Sequence, residues 1–246
     1  MRFEGKVALV TGASSGLGAA CVRLLAAKGA KVYAVARNRE RLDEVAASTE
    51  GQVVVDLLDV ADPEACKAIV AACVERFGRL DVLVNNAGRH DFRITTEVTE
   101  EQWFSDLNTN LSGAFFLSQA AIPHLLESHG NIVNVASLAG VIGEAYSAAY
   151  TSAKHGVVGL TKALAVEYVD HPIRINCVCP GGMDTPQVHT IDVPEGTSFE
   201  LVMRIAARRG FMKAEDVAQV VGFLASDDAA AVHGSIQVVD AGQTAG

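Results

Sequence analysis

From residue 6 almost to its end, the chain alternates short, continuously apolar runs with longer stretches of helical periodicity. A continuous apolar run of strand length reads as a strand covered on both faces. Such strands separated by helices form a parallel sheet, because a parallel neighbour is reached only through a crossover. The runs are "KVALVTG" (6–12), "KVYAVA" (31–36), "QVVVDLLDV" (52–60), "LDVLVNNAG" (80–88), "GNIVNVAS" (130–137), "IRINCVCPG" (173–181) and "GSIQVVDAG" (234–242). Right-handed crossovers then predict a doubly wound parallel α/β sheet with helices on both faces.

Local signals punctuate the helices between these runs. Leu17, Cys21, Leu24 and Leu25 repeat at helical spacing until Gly29, and a charged amphipathic helix starts near Arg39. Asp62–Pro63 supplies an N-cap and a first-turn proline for a helix that Gly78 ends. Thr99 and Gln102 have capping-box spacing ahead of Trp103, and a last helix is expected around 214–225. With 246 residues, half of them hydrophobic, and no linker or repeat, a single domain spanning 1–246 is predicted. The stretch 182–209, with Pro186, Pro194 and Gly196, falls outside the rhythm and is read as a substrate flap.

A formal net charge of −9 with no basic tract argues against nucleic-acid and acidic-membrane binding. No apolar run approaches membrane-spanning length and no signal peptide opens the chain, so a cytoplasmic protein without a membrane partner is expected. Cys21, Cys66, Cys73, Cys177 and Cys179 lie in apolar periodic segments and read as buried thiols. Cys177 and Cys179 share a strand face, but nothing completes a metal-ligand spacing, and no metal is expected.

Chemistry concentrates at the ends of the apolar runs. Gly12, Gly16 and Gly18 punctuate "TGASSGLG" between the first strand and first helix, where backbone N–H groups and a helix dipole favour a pyrophosphate. The spacing is G-x-x-x-G-x-G rather than the commoner G-x-G-x-x-G, and a tight structural turn is the alternative. The second strand ends in Ala36 and Arg37, offering a guanidinium where a ribose-binding carboxylate would otherwise stand. That choice points to NADP(H), with NAD(H) as the alternative, or to a solvated arginine at a helix start. Tyr150 and Lys154, four residues apart in "AAYTSAKHG" (148–156), leave one helix face together. They form either an ordinary helix surface or an acid beside the cation that lowers its pKa.

In order along the chain, "TGASSGLG" (11–18), "NNAG" (85–88), Asn110 in "NLSG", Ser137, the Tyr150 and Lys154 pair and "PGGMDT" (180–185) resemble the short-chain dehydrogenase/reductase superfamily. The likeness covers essentially the whole length and implies a Rossmann-type fold. It implies a hydride-transferring oxidoreductase acting on a small-molecule carbonyl/secondary-alcohol pair, with Asn110, Ser137, Tyr150 and Lys154 as the catalytic set. Tyr150 would be the acid/base, tuned and positioned by Lys154, which would also bind the nicotinamide ribose. Ser137 would hold the substrate oxygen, and Asn110 would order a water leading protons to Lys154. Ser14, Ser15 and Leu17 would serve the phosphates and ribose, and Arg37 with Asn38 the adenosine 2′ side. Asp59 and Val60 would hold the adenine, and Asn86, Ala87 and Gly88 would line the adenosine side. Pro180, Gly181, Met183 and Thr185 would cradle the nicotinamide, and Asn85 would brace the sheet. "ARNRERL" resembles the NADP-preferring branch, departing from it at Ala36. Gly156 and Gly159 would continue the close-packing surface of the Tyr150 helix. Homotetramers, assembled through the helices around 110–127 and 148–168 and the final strand, are implied as well.

Substrate identity is less constrained. A 3-oxoacyl-carrier-protein reductase needs a basic dock, and "LLESHGNIV" (125–133) and "VDHPIRIN" (169–176) do not form one. A free ketone, sugar, steroid or keto acid is therefore favoured, and a non-catalytic NADP(H) sensor is the reading from another class. Arg89, His90 and Asp91 are read either as a polar substrate wall or as solvated loop. Glu144 and His189 are candidates for the pocket or flap, and His155, pointing away around the helix, is structural.

Overall fold

Aliphatic residues keep β1 (Val7–Thr11) buried along its whole length, and its side chains alternate between two cores, Ala8 and Val10 into one, Val7 and Leu9 into the other. The computed structural model describes residues 2–207 and 209–245. Met1, Gly246 and the flap's Arg208 lie outside the described residues. After β1 come α1 (Gly16–Ala27), β2 (Lys31–Ala36), α2 (Arg39–Ala47), β3 (Gln52–Leu57), α3 (Pro63–Phe77) and β4 (Val82–Asn85). The chain continues through α4 (Glu100–Leu107), α5 (Gly113–Ser128), β5 (Asn131–Val135), α6 (Ala148–Glu167) and β6 (Arg174–Pro180). It ends with β7 (Met183–Asp184), α7 (Pro186–Thr190), α8 (Phe199–Met203), β8 (Met212–Lys213), α9 (Ala214–Ala225) and β9 (Ile236–Val239).

Seven strands form one sheet in the order β3-β2-β1-β4-β5-β6-β9, with every pairing parallel. Leu17, Cys21 and Leu25 of α1 and Val217, Val221 and Leu224 of α9 fill the core on one face. Ile69 and Cys73 of α3, Leu117 and Leu125 of α5 and Leu164 of α6 fill the other. Burying each such side chain contributes about 1.5–3 kcal/mol. All five cysteines are free and buried, and Cys177 and Cys179 share a strand face with their Sγ atoms 4.0 Å apart. Among the described residues, no helix is long and apolar enough to cross a membrane and no group of His, Cys, Asp and Glu could hold a metal ion.

The strand order reverses at β1. Strands β2 and β3 build out one way and β4, β5, β6 and β9 the other, so the connections after β1 and β4 run to opposite faces of the sheet and a crevice opens at the carboxyl ends of the strands. Three features add to the sequence-based picture. A π-helical turn at 108–112 joins α4 to α5. The short strands β7 and β8 pair in parallel, and α7 and α8 lie within the stretch 182–209.

Candidate active site

The crevice is a cavity of about 730 Å³. At one end, Gly12 leaves β1 at φ 62°, and a Cβ there would sit 2.8 Å from Asn86 Nδ2 and 2.9 Å from Ala87 Cα. Thr11 Oγ1 accepts from the Asn86 and Ala87 N–H groups, both at 3.0 Å, and Asn86 Nδ2 donates to Thr11 O at 2.9 Å. The turns after β1 and β4 are thereby fastened together. A Cβ on Gly18 would lie 2.2 Å from Gly12 O, so glycine is required for α1 to seat against the turn. No side chain caps α1 at Ser15, which leaves the N–H groups of its first turn for a ligand. Ser14, Ser15, Gly16 and Leu17 line the cavity beside Gly12; Gly18 does not, and acts through packing.

Ala36, Arg37, Asn38 and Arg41 line the cavity at the β2 tip, and Asp59 and Val60 line it beyond β3. Arg39 is paired with Asp43 at 3.3 Å, whereas Arg37 is exposed with no ion pair among the described residues. Asn38 uses its side-chain oxygen to cap α2, accepting from Arg41 N at 2.9 Å. That oxygen serves the helix rather than a ligand, while Arg41, which sequence reasoning passed over, adds a second cation to this end. This cradle suits a dinucleotide: glycines where backbones touch, uncapped N–H groups for phosphates, and guanidinium groups beyond the ribose.

Asn86, Ala87, Gly88, Pro180, Gly181, Met183 and Thr185 carry the lining to the other end, where Ser137, Tyr150 and Lys154 meet. Ser137 follows β5, and its hydroxyl hydrogen-bonds the Tyr150 phenol. Lys154, buried one helical turn on, donates from Nζ to Val135 O at 3.0 Å and lies 5.6 Å from the Tyr150 ring centroid. A Cβ on Gly88 would fall 2.9 Å from Asn110 Oδ1 and 3.3 Å from Lys154 Nζ, so Gly88 lets these two approach. Asn110 itself does not line the cavity. The π-helical turn buries it, with Oδ1 accepting from Arg89 N at 2.9 Å and Nδ2 donating to Arg89 O at 2.9 Å and Asp106 O at 3.1 Å. A Cβ on Gly156 would strike Leu111, as close helix packing requires, whereas one on Gly159 would meet nothing within 4 Å.

Electrostatics here depart from the sequence-based expectation. Burial lifts the Tyr150 phenol above its ordinary value, the Ser137 hydrogen bond opposes this, and a Glu144 charge adds to the rise. Lys154 is not among the groups that shift the phenol, and burial brings Lys154 itself down to about 8, which leaves it mostly charged at neutral pH.

Beyond Tyr150 the wall is largely apolar, with Phe92, Leu138, Val188, Ile191, Val202, Met203 and Phe211, joined by His90 and Glu144. Arg89 also lines it, but its guanidinium is held by Asp106 at 3.0 Å and Asp91 at 2.9 Å. Asp91 and His189 are not in the lining, and His189 instead faces Asp184 at 2.6 Å on the exposed side of the flap. His155 is exposed with Nδ1 3.0 Å from Thr151 O, and Asn85 donates to Asn134 Oδ1 at 2.9 Å, tying β4 to β5. The apolar wall had no local signature, since a lone apolar residue in a loop reads like any core residue.

Residues 6–195 match the family described as short chain dehydrogenase. The 3-oxoacyl-(acyl-carrier-protein) reductase FabG of Thermotoga maritima is 40% identical over 225 residues, covering 90% of each chain. Meso-2,3-butanediol dehydrogenase of Serratia marcescens is 39% identical over 246 residues, covering 100% of this chain and 97% of the relative. A crystal structure of a point variant of actinorhodin polyketide ketoreductase with NADPH is similar at a TM-score of 0.87, with 38% identity and 97% of each chain covered.

Proposed function

From the premise that the chain belongs to the short chain dehydrogenase family, NAD(P)-dependent oxidoreductases acting on CH–OH and C=O groups, we propose that it interconverts a free small-molecule ketone and its secondary alcohol with NADP(H). The observation that carries this is the meeting of Ser137, Tyr150 and Lys154 at one end of a cavity whose other end is the glycine-lined turn. When bound, the nicotinamide gives up or accepts the hydride. In reduction Tyr150 delivers its proton to the carbonyl oxygen, which Ser137 holds by a hydrogen bond. The phenol, lifted by burial, keeps that proton across the neutral range, so alcohol oxidation gains rate with rising pH while reduction does not depend on deprotonating Tyr150. Lys154 places a positive charge near the phenol and would hold the nicotinamide ribose when the cofactor is bound. Asn110 acts as a positioning residue, because its side chain is already committed to the backbone of Arg89 and Asp106.

Arg37 and Arg41 favour NADP(H) through the 2′-phosphate, for which Ala36 leaves no competing carboxylate. Residues 182–211 act as the flap, extended to Phe211 because that side chain lines the cavity with Val188 and Met203. Carrier-protein docking is disfavoured: Arg174, the cation of "VDHPIRIN", is engaged by Leu224 O at 2.8 Å and Ser226 O at 3.0 Å. Exposed Phe115 on α5, Val166 on α6 and Val238 on β9 support a homotetramer through the elements that the resemblance implies.

A nicotinamide absorbance assay with NADPH and NADH against ketones, sugars, steroids and oxoacyl thioesters tests the reading. Tyr150→Phe is expected to lower turnover at least a thousandfold while NADPH binding changes less than about threefold. Retention of most of the activity by that variant would show the mechanism to be wrong.

A further inference from the structure

Glu144 stands in the cavity wall with no task in the mechanism above. Its side chain is 7% exposed, and the nearest polar partner, His90 Nε2, is 3.6 Å away, beyond hydrogen-bond distance. Among the described residues no hydrogen bond reaches its carboxyl. The carboxyl opens onto the space that a ligand enters, where it is free to take a hydrogen bond from that ligand.

His90 cannot move in to satisfy it. Its ring stacks on Tyr150 with centroids 4.3 Å apart and packs edgewise on Phe92, and its Nε2 lies 2.8 Å from Ser147 Oγ. Burial keeps the imidazole neutral near pH 7, outweighing Asp91 and Asp106, while Arg93 and Lys154 reinforce the effect. His90 thus stands against both Glu144 and the phenol that meets the reacting oxygen, in a cavity also lined by Phe92, Leu138, Val188 and Met203.

We infer that Glu144 determines specificity by hydrogen-bonding a hydroxyl that the substrate carries close to its reacting carbonyl, so that hydroxy ketones and the matching diols are preferred. The inference rests on the carbonyl-reduction reading above. A hydroxyl suits this carboxyl in either protonation state, donating to the carboxylate or accepting from the acid. A plain ketone covers the Glu144 carboxyl without giving it a partner, and a keto acid brings a like charge to it.

The test compares kcat/KM for cyclohexanone, 2-hydroxycyclohexanone and 3-hydroxycyclohexanone with NADPH, in the unaltered protein, Glu144→Gln and Glu144→Leu. The expected result is a preference of about tenfold or more for one hydroxy ketone, the size of one hydrogen bond to a charged group. Glu144→Gln, which still hydrogen-bonds, is expected to keep that preference within about threefold, and Glu144→Leu to reduce it to about one. No preference in the unaltered protein, or one that survives Glu144→Leu, overturns the inference while ketone reduction stands. Absence of NADPH oxidation with all three ketones removes the inference and the ketone assignment together.

Discussion

Cofactor choice and pH response are tested at single side chains. Arg37→Ala removes the exposed guanidinium at the β2 tip, and the expected outcome is at least a tenfold loss of NADPH affinity with NADH little changed; calorimetric titration of both cofactors checks it. Equal losses for the two cofactors would contradict the 2′-phosphate assignment. Burial lifts Glu144 to about 7 and lowers His90 to about 4, so their contributions to stability run in opposite directions. The folded protein holds a proton on Glu144 that the unfolded chain has already released, so stability from this site is lost as pH rises through about 4.5 to 7. His90 is the reverse case, its stability being lost as pH falls from about 6.5 through 4. Glu144→Gln removes the first term alone. The variant is expected to gain on the unaltered protein as pH rises from 5 to 8, by on the order of 1–3 kcal/mol at pH 8, in urea denaturation at both values. A pH-independent difference would show that Glu144 is not lifted by burial. That Tyr150, Lys154 and Arg37 would line one cavity was legible from residue type and spacing. That Glu144 lacks a partner was not, because only the packing of His90 against Tyr150 and Ser147 holds the imidazole 3.6 Å away.

At the scale of the element, what was legible was whatever is local. Asp62 caps α3 by accepting from Glu64 N at 2.9 Å and Ala65 N at 3.2 Å, Gly78 ends it at φ 79°, and Thr99 with Gln102 forms the capping box of α4. Each is a contact within a few residues, written directly in the chain. The π-helical turn at 108–112 carried no such mark, since it forms where Asn110 bonds the backbone of Arg89 on another segment. The pairing of β7 with β8 joins residues nearly thirty positions apart (Met183 to Met212), and so depends on contacts distant in sequence. Helix α1 offers the sharpest test. In Gly18→Ala the new methyl group would meet Gly12 O at 2.2 Å, backbone against backbone, so α1 must shift from the turn. A loss of about 2–4 kcal/mol in urea denaturation is expected, with a weaker dinucleotide complex. Unchanged stability would mean that α1 seats with room to spare.

For the whole molecule, the sheet order and the exposed apolar residues set the predictions. Phe104, Phe115, Val166 and Val238 leave α4, α5, α6 and β9 with apolar surface that a monomer exposes to water. Sedimentation velocity is expected to give a particle of four times the 25.8 kDa chain mass, and Val166→Glu to yield smaller species. A single monomeric boundary for the unaltered protein would rule out the assembly. The sequence by itself determined the element types, the parallel sheet, the glycine turn and the Tyr150 and Lys154 pair. Apolar runs, caps and i, i+4 spacing are short-range patterns, and backbone geometry turns them into structure with few alternatives. Only the tertiary structure decided which residues share the cavity: that Asn110 is buried behind Arg89, that Val188, Met203 and Phe211 join the wall, and that Arg174 is taken up by the end of α9. The physical reason is that burial and hydrogen-bond satisfaction depend on segments distant in the chain, whose distances exist only once the sheet has closed on its helices.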